Sequence, residues 1–326
     1  MEFTCKKEGR LDSIMSEALS LPRNQIEKLI KHVGVEIDGV MVFKSSFKLC
    51  GGEKIVYEYL DAPKSEVAYA VNFDVPILYE DEHILVVNKP SHLTVHGAPS
   101  VKEATLVDWL KAKGISLSTL SGEERHGIVH RIDKETSGAL VIAKSNEAHT
   151  ELSKQLEDKS MGRYYLAIIE PPLRENIVVE LPIGRNPNQR LKMAVVQEGR
   201  FAKSAFFKVA LSKNSKHELI AVKLFTGRTH QIRVHLSALS RHILGDGLYG
   251  FKSQNSTIAR VMLHAYVVYL IHPVSKEPLH IYAPLMDDFE TILTHHFVKE
   301  DYHEKIEPRS IISCFSDVDQ WLFKKG

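Results

Sequence analysis

The sequence of 326 residues is poor in cysteine, in long apolar runs and in net charge, and each shortage excludes a class of protein. Its three cysteines, Cys5, Cys50 and Cys314, lie far apart and form no C-x-x-C pair, and their odd number argues against a disulfide framework. The longest apolar runs, such as 265–271, are too short to span a bilayer. The first residues hold no apolar stretch typical of a signal peptide. We therefore expect a soluble, cytoplasmic protein in a reducing compartment, with no membrane partner.

The common cofactor and metal motifs are missing as well. No G-x-G-x-x-G or Walker loop occurs, so a nucleotide cofactor has no recognisable cradle. There are 17 histidines but no H-E-x-x-H, and the spacing of His230 and His235 does not place them on one face of a helix. We expect neither metal nor cofactor. The formal net charge of +1 neither indicates nor excludes nucleic acid, because a local basic cleft can be balanced elsewhere.

Residues 1–62 are predicted to form a small α+β domain. The spacing of apolar residues predicts a helix in GRLDSIMSEAL and a second in PRNQIEKLIKHVG. Asp38-Gly39 between alternating apolar residues predicts a hairpin, and GGEKIVYEYL a further strand. In the second helix Arg23, Lys28 and Lys31 lie off the apolar face. They offer a basic edge to an RNA backbone.

The rest of the chain is predicted to form one larger domain. Residues 63–76 carry no helical pattern and are interpreted as a linker, residues 77–300 as the larger domain, and the charged, irregular residues 301–326 as a C-terminal tail. NEAHTELSKQLEDKS predicts a helix at 146–160. Strands are predicted at 77–81, 83–89, 127–133, 138–144, 163–169, 176–181, 192–197, 203–211, 217–225, 264–271 and 278–283. Adjacent strands joined by short turns favour an α+β fold with a mainly antiparallel, mixed sheet.

The stretch HRIDKETSGALVIAKS, residues 130–145, joins a charged cluster directly to a small-residue turn and an apolar strand. A carboxylate next to an arginine at the end of such a strand can be held ionised in a cleft. In that state it can act as a nucleophile or a base. A structural ion pair at a strand end explains the pattern equally well. Asp133 is therefore a candidate catalytic residue with a structural alternative.

A second cluster, RYYLAI, begins at Arg163. Alternation along a strand sends Arg163 and Tyr165 to one face and Tyr164 to the other. A tyrosine beside a basic residue could stack on a base. Without further context, a core or edge aromatic is the better interpretation.

A third cluster, LFTGRTHQIRVHLSALS, spans residues 224–240 and has helical apolar spacing. Thr229 is a natural N-cap, which places Gly227 and Arg228 just before a helix N-terminus, where an anion is favoured. Arg228 could clamp a phosphate or a carboxylate with two hydrogen bonds. A solvated amphipathic helix is the alternative, although Arg233 and His235 flank the apolar stripe.

Together these stretches resemble the RluA-type pseudouridine synthases. Residues 130–145 resemble the family signature H-R-L-D-x-x-T-S-G-L-L-L-x-A-K, and TGRTHQIRVHLSALSRHILGDGLYG resembles the second signature. ILYEDEHILVVNKPSHLTVHG is similar to the opening strands of the family, and residues 263–265 to a short later motif. The first sixty residues resemble the small RNA-binding module named after ribosomal protein S-four. The layout is most similar to the RluD type, which acts on large-subunit ribosomal RNA.

The resemblance implies a role for each cluster. Asp133 matches the essential aspartate, and Tyr165 matches the active-site tyrosine of a K-x-Y motif in which Arg163 replaces the lysine. Arg228 is matched to the basic residue that pairs with the aspartate, and Arg131 to the arginine that helps to displace the target base. The expected catalytic residues are Asp133, Tyr165 and Arg228. The expected RNA-binding residues are His130, Arg131, Arg163, Arg23, Lys28 and Lys31.

The implied reaction is the isomerisation of specific uridines to pseudouridine in RNA, which needs no cofactor and no metal. The implied partner is 23S ribosomal RNA or a large-subunit precursor, bound by a monomer. The target base must leave its stack to be reached. Three other readings stay open: a non-catalytic RNA-binding protein on the same fold, transfer RNA as the substrate, and a metal-dependent hydrolase that uses the histidines.

Overall fold

The structure, a computed structural model, describes residues 2–19, 23–58, 69–98, 100–122, 125–251 and 258–325. The chain divides into two compact units, Met1–Ala68 and Tyr69–Gly326. Residues 63–68 of the predicted linker lie outside the described residues, and residues 69–76 contain no helix or strand. Among the described helices, none is long and apolar enough to cross a membrane.

The first unit packs two helices on a four-stranded sheet of order β1-β6-β3-β4. The helices are α1 (Leu11–Leu19) and α2 (Arg23–His32). The strands are β1 (Glu2–Thr4), β2 (Gly9–Arg10), β3 (Val35–Ile37), β4 (Val40–Val42), β5 (Lys48–Leu49) and β6 (Lys54–Val56), and β2 and β5 form a separate pair. Asp38 and Gly39 join β3 to β4 with φ angles of 48° and 85°, as a two-residue hairpin turn requires. The predicted hairpin is confirmed.

The second unit is built on an eleven-stranded sheet of order β19-β11-β14-β15-β10-β17-β9-β8-β7, with β16 paired to β10 and β18 to β17. Its strands are β7 (Ile77–Glu80), β8 (Ile84–Lys89), β9 (Ser137–Ala143), β10 (Gly162–Glu170), β11 (Ile177–Glu180), β14 (Lys203–Leu211), β15 (Glu218–Leu224), β16 (His242–Ile243), β17 (Leu263–Ile271), β18 (Pro278–Tyr282) and β19 (Leu322–Lys325). A separate hairpin consists of β12 (Ile183–Arg185) and β13 (Met193–Val195). All pairs in the large sheet are antiparallel except β17 with β9 and β11 with β19.

Helices pack on this sheet, and strands β8 and β9 are buried along their whole length. The helices are α3 (Leu106–Ala112), α4 (Asn146–Glu157), α5 (Gln231–Ala238), α6 (Asp287–His296), α7 (Lys299–Tyr302) and α8 (Pro308–Ser313). Strand β9 has no exposed residue, which explains why an apolar run directly follows the charged cluster at 130–135. The predicted α+β fold with a mainly antiparallel sheet is confirmed.

The segment expected to be a C-terminal tail is part of the core, so that expectation is wrong. After α7 the chain forms α8, a short 3-10 turn at Val318–Gln320 and strand β19, which pairs in parallel with β11. Phe315 is 2% exposed and packs against the rings of Tyr164, Phe207 and Trp321. Ile306, Ile311, Phe315 and Val318 of this segment are buried in the core of the second unit.

Candidate active site

One pocket of the second unit gathers residues that are far apart in the sequence. The loop before β9, the strand β10 and the approach to α5 each contribute part of its wall. It is lined by Arg131, Ile132, Asp133, Thr136, Arg163, Tyr165, Leu224, Gly227, Arg228, His230, Gln231, Ile232, Arg233 and Leu263. All three clusters identified in the sequence, at 130–145, at 163–168 and at 224–240, therefore contribute residues to one pocket.

Asp133 is fixed by the turn that follows it. The amide of Thr136 donates to the backbone carbonyl of Asp133 at 3.1 Å. Ser137 Oγ and His264 Nδ1 lie 2.8 Å apart where β9 meets β17. Gly138 has a φ of 113°, and a Cβ there would overlap the backbone of Ala265. Only glycine lets the two strands approach so closely, so this turn anchors the carboxylate to the centre of the sheet.

Lys89, at the end of β8, also holds the loop that carries Asp133. Its Nζ donates to the backbone carbonyls of Pro90, Leu93 and Lys134 at 2.7, 2.8 and 3.1 Å. The side chain is fully buried, and burial lowers the pKa of Lys89 to about 7. Three carbonyls saturate an ammonium group, so this lysine ties the end of β8 to the loop that carries Asp133.

The cation nearest to Asp133 is Arg233. Its Nη1 lies 3.4 Å from Asp133 Oδ2. Its Nε and Nη2 donate to the two carboxylate oxygens of Asp246 at 2.7 and 2.8 Å, and its guanidinium packs over the ring of Tyr249 at 4.9 Å. Both Arg233 and Asp246 are buried. Asp246 therefore holds the guanidinium rigidly, and the free edge of the guanidinium is turned towards Asp133.

The predicted pairing of Arg228 with Asp133 is wrong. Arg228 lines the pocket, but its Nε donates to the backbone carbonyl of Phe201 at 2.9 Å. Two arginines of the signature, Arg228 and Arg233, line the pocket, and which of them contacts Asp133 depends on how the chain turns into α5. Because Arg233 lies within the first turn of that helix, its side chain reaches back across the pocket.

The turn into α5 also differs from the prediction. Thr229 was expected to cap the helix, but His230 occupies the N-cap position with a left-handed φ of 56° and makes no side-chain cap. This conformation points the imidazole at Asp133, with Nε2 4.0 Å from Oδ2, while Nδ1 lies 2.8 Å from the hydroxyl of Tyr249. Burial lowers the pKa of His230, and the Asp133 carboxylate opposes that effect. Gln231 fixes the turn that precedes the helix, because its Oε1 accepts the amide of Arg228 and the hydroxyl of Thr226.

Tyr165 and Arg163 project into the pocket from β10, as the alternation predicts. Both residues are buried. Burial raises the pKa of Tyr165, the adjacent Arg163 guanidinium lowers it, and the Asp133 carboxylate raises it. The phenol therefore stays protonated and offers a flat ring to whatever enters.

His130 and Arg131 behave differently from one another. Arg131 is exposed at the pocket rim. His130 is absent from the pocket lining, and its Nε2 accepts the amide of Val141 at 3.1 Å. Burial lowers the pKa of His130 to about 3, so the ring is a neutral acceptor within the protein. The expected contact of His130 with RNA does not fit this position, whereas Arg131 remains a candidate.

In the first unit, the three predicted basic residues have unequal surroundings. Lys31 is exposed. Arg23 is half-exposed but donates to Asp12 Oδ2 at 2.9 Å. Asp12 is buried, and hydrogen bonds from Arg10 and Arg23 lower its pKa to about 2. Arg23 is thus engaged within the fold. The side chain of Lys28 lies outside the described residues.

Sequence reasoning missed four residues of this site: Arg233, His230, Asp246 and Tyr249. The signal for Arg233 was present, because the second signature holds it five positions after Arg228. The signal for Asp246 and Tyr249 is weaker, since the glycines of HILGDGLYG are typical of an ordinary turn. Among the described residues, no group of three or more His, Cys, Asp or Glu side chains is arranged to hold a metal ion.

The chain matches known families over both of its units. RNA pseudouridylate synthase matches residues 83–238, and the S4 domain matches residues 9–55. An RNA pseudouridine synthase of Helicobacter pylori J99 is 43% identical over 313 residues, covering 94% of this chain and 95% of the relative. Ribosomal large subunit pseudouridine synthase D of Nitrosomonas europaea is 35% identical over 294 residues, covering 87% and 83%.

Solved structures agree in fold. Human RNA pseudouridylate synthase domain containing 4 superposes with a TM-score of 0.53 at 25% identity, covering 67% of this chain and 92% of that chain. Human RNA pseudouridylate synthase domain containing 1 superposes with a TM-score of 0.54 at 24% identity, covering 67% and 87%.

Proposed function

The chain belongs to the RNA pseudouridine synthase family of enzymes, and from that premise we propose that it converts specific uridines of large-subunit ribosomal RNA to pseudouridine, with Asp133 as the catalytic carboxylate. The observation that carries the proposal is the Asp133–Arg233–Asp246 arrangement in the pocket. The ribosomal substrate is supported by the similarity to two enzymes named ribosomal large subunit pseudouridine synthase D. We propose that an enzyme with such a substrate acts in the cytoplasm.

The site is suited to a reaction that rearranges one nucleotide without adding or removing atoms. The carboxylate of Asp133 is 18% exposed, so a flipped nucleotide can reach it. Arg233 holds the carboxylate in place, and Asp246 shares the positive charge of Arg233. Asp133 therefore keeps negative charge available for attack on the sugar, addition to the ring or removal of a sugar proton.

The residues of the pocket walls support further parts of the proposal. Tyr165 offers a buried ring on which a displaced uracil can stack. Arg131, exposed at the rim, is placed to enter the space that the flipped base leaves. Arg228 at the other side of the rim can meet a phosphate of the bound strand. His230 touches Asp133 and Tyr249, and thus links the carboxylate to a hydrogen bond inside the protein.

The proposal is tested with Asp133→Asn, which removes the negative charge and keeps the shape. We expect isomerisation to be abolished while RNA affinity stays within a few-fold, because affinity comes mostly from phosphate contacts. Turnover is measured on ribosomal RNA from cells that lack the gene, and affinity by filter binding. Near-normal turnover in this variant would contradict the role of Asp133.

The substrate is tested separately by mapping pseudouridines in ribosomal and transfer RNA from cells with and without the gene. We expect the pseudouridines that are lost in cells without the gene to lie in 23S ribosomal RNA. Losses confined to transfer RNA would overturn the ribosomal assignment and leave the reaction type in place.

A further inference from the structure

Arg163 is a buried cation for which the fold supplies no counter-charge. It lies in β10 between β15 and β17 and is 8% exposed. Within the described parts of the chain no carboxylate pairs with its guanidinium, and its buried Nε has no hydrogen-bond partner. Burial lowers the pKa of Arg163, and the Arg228 guanidinium lowers it further. A buried charge without a partner lowers the stability of the folded protein. We therefore look for a function that explains why Arg163 is buried without one.

The guanidinium of Arg163 faces the pocket that holds Asp133. Arg163 and Tyr165 both line this pocket. The backbone of Gly227 passes so close that a Cβ there would lie 2.6 Å from Arg163 Nη1. A side chain at position 227 would therefore displace the guanidinium. At this point the wall of the pocket is the backbone of Gly227, and the absence of a side chain there leaves room for the Arg163 guanidinium.

The charges of the pocket do not balance. Asp133 is paired with Arg233, and Arg233 is itself clamped by Asp246. Arg131, Arg163 and Arg228 remain as positive charges with no carboxylate partner among the described residues. Arg131 is exposed and Arg228 partly exposed at the rim, so both can meet a phosphate of a bound RNA strand. Arg163 lies deeper, at the level of Tyr165, where the base of a flipped nucleotide would enter.

The proposed reaction creates negative charge at this depth. When the bond from C1′ to N1 breaks, its electron pair stays on the uracil ring and spreads over N1, O2 and O4. Either the Asp133 carboxylate forms a bond to C1′, or it removes the C2′ proton so that a C1′–C2′ double bond forms. C5 then donates an electron pair to C1′ while the Asp133–C1′ bond breaks or, on the second route, while Asp133 returns the proton to C2′. The C5 proton passes to the regenerated Asp133 carboxylate or to water, and N1 takes up a proton from water. Atoms and electrons are conserved, and the only transient charge on the base is negative.

This inference rests on the proposed function. We propose that Arg163 is a further catalytic residue, whose guanidinium binds O2 or O4 of the detached uracil and stabilises its negative charge while the base turns. The planar fork donates two parallel hydrogen bonds. A fixed cation in a site shielded from water stabilises developing charge far better than water does. The charge lies on both oxygens, so the contact can persist through the rotation.

The test uses the full chain with Arg163→Met, Arg163→Lys and, as a matched control, Arg174→Met, since Arg174 is exposed and does not line the pocket. The substrates are two RNA fragments that carry the mapped target position as uridine or as 5-fluorouridine. Fluorine withdraws electrons and stabilises the ring anion. The single-turnover rate at which the N1-linked nucleotide disappears is measured by mass spectrometry of nuclease digests.

On uridine, we expect Arg163→Met to slow the reaction by roughly 100- to 1,000-fold, the loss typical for removal of one charge-stabilising donor. On 5-fluorouridine the loss should be at least about tenfold smaller, because the ring anion needs less help. Arg163→Lys should lie between, since it keeps the charge without the fork. Arg174→Met should match the wild-type rates. The thermal midpoint of Arg163→Met should not fall, because the variant removes an unpaired buried charge.

Equal losses on both substrates would overturn the inference. A weakened RNA affinity with unchanged single-turnover rates would also overturn it, and would assign Arg163 to a phosphate. Neither result contradicts the proposed function, which is tested by the Asp133→Asn variant. Conversely, turnover retained by Asp133→Asn would contradict the proposed function whatever the Arg163 variants show.

Discussion

Arg233 and Arg228 lie in the same signature, but the structure gives them different tasks. We expect Arg233→Met to destabilise the fold by roughly 3–5 kcal/mol, because it leaves the buried Asp246 carboxylate unpaired. Arg228→Met should cost less than about 1 kcal/mol, since it loses one hydrogen bond to a backbone carbonyl. Urea unfolding of the two variants checks this difference.

The two variants should also differ in activity. Adding Asp246→Leu to Arg233→Met should restore stability, because the charged pair is replaced by apolar groups, but turnover should stay low, since Asp133 has lost its neighbour. Single-turnover assays of the double variant separate these effects. An Arg228 variant with a larger stability loss than the Arg233 variant would show that the ion pairs have been assigned to the wrong arginine.

At the residue scale, the sequence patterns identify pocket residues whose position follows from their own segment of the chain. Asp133, Tyr165 and Arg131 all line the pocket, because Tyr165 lies within β10 and the other two lie in the loop that leads into β9. The partner of Asp133 was assigned wrongly. The two residues are 100 positions apart, and their contact depends on the left-handed turn at His230. Local spacing does not encode such a turn at a non-glycine residue.

The C-terminal elements α7 to β19 contribute to the core of the second unit. We expect Phe315→Ala to destabilise the protein by roughly 3–5 kcal/mol, the usual cost of truncating a buried phenylalanine. Leu322→Ala, in the same segment but 51% exposed, should cost less than about 1 kcal/mol. Thermal or urea unfolding measures both values. Similar small losses in both variants would mean that the segment does not pack on the sheet in solution.

At the element scale, most strands are predicted well and the short helices poorly. The strand predicted at 127–133 is wrong, because that segment forms only an isolated bridge at Ile128. Strands such as β9 and β17 have long apolar runs whose ends are marked by charged or turn residues. Helix α3 was missed, although Thr105 and Asp108 form a capping box that could have revealed it. The C-terminal segment was missed because its helices are only four to six residues long, too short for a helical period to show.

For the whole molecule, buried neutral histidines make stability depend on pH. Burial lowers the pKa values of His235 and His264 to about 4, below the ordinary value near 6.5. Between these values the unfolded chain binds more protons than the folded one. Stability is therefore highest above about pH 6.5 and falls as the pH drops towards 4.

This pH dependence can be assigned by substitution. His264 alone should account for roughly 3 kcal/mol of the loss, given the gap between its folded and unfolded pKa values. His264→Asn should reduce the fall in unfolding free energy between pH 6.5 and 4.5, whereas His295→Asn, at an exposed position, should not. The measurement is urea unfolding at both pH values. An unchanged pH slope in His264→Asn would show that its ring is not buried neutral in the folded protein.

The first unit should contribute RNA affinity and not chemistry. A protein lacking residues 1–68 keeps Val75, which is buried in the core of the second unit, and Asp74, which accepts the Trp109 indole at 2.9 Å. A start at Pro76, as the predicted linker would suggest, removes both contacts. We expect the shortened protein to fold and isomerise uridine but to bind structured ribosomal RNA more weakly. The difference should shrink as salt rises, because phosphate contacts are lost.

Rates on a ribosomal RNA fragment at two salt concentrations, for the full chain and the shortened protein, measure this effect. Equal rates and equal salt slopes would mean that the first unit does not hold the substrate.

The parallel pairing of β19 with β11 has a consequence for biosynthesis. Strand β11 is complete at Glu180, but its parallel neighbour β19 is formed by Leu322–Lys325, much later in the chain. During synthesis, one edge of β11 therefore stays unpaired until β19 has left the ribosome. All residues that line the pocket are made before β19, so the sheet is completed only after the whole pocket has been synthesised.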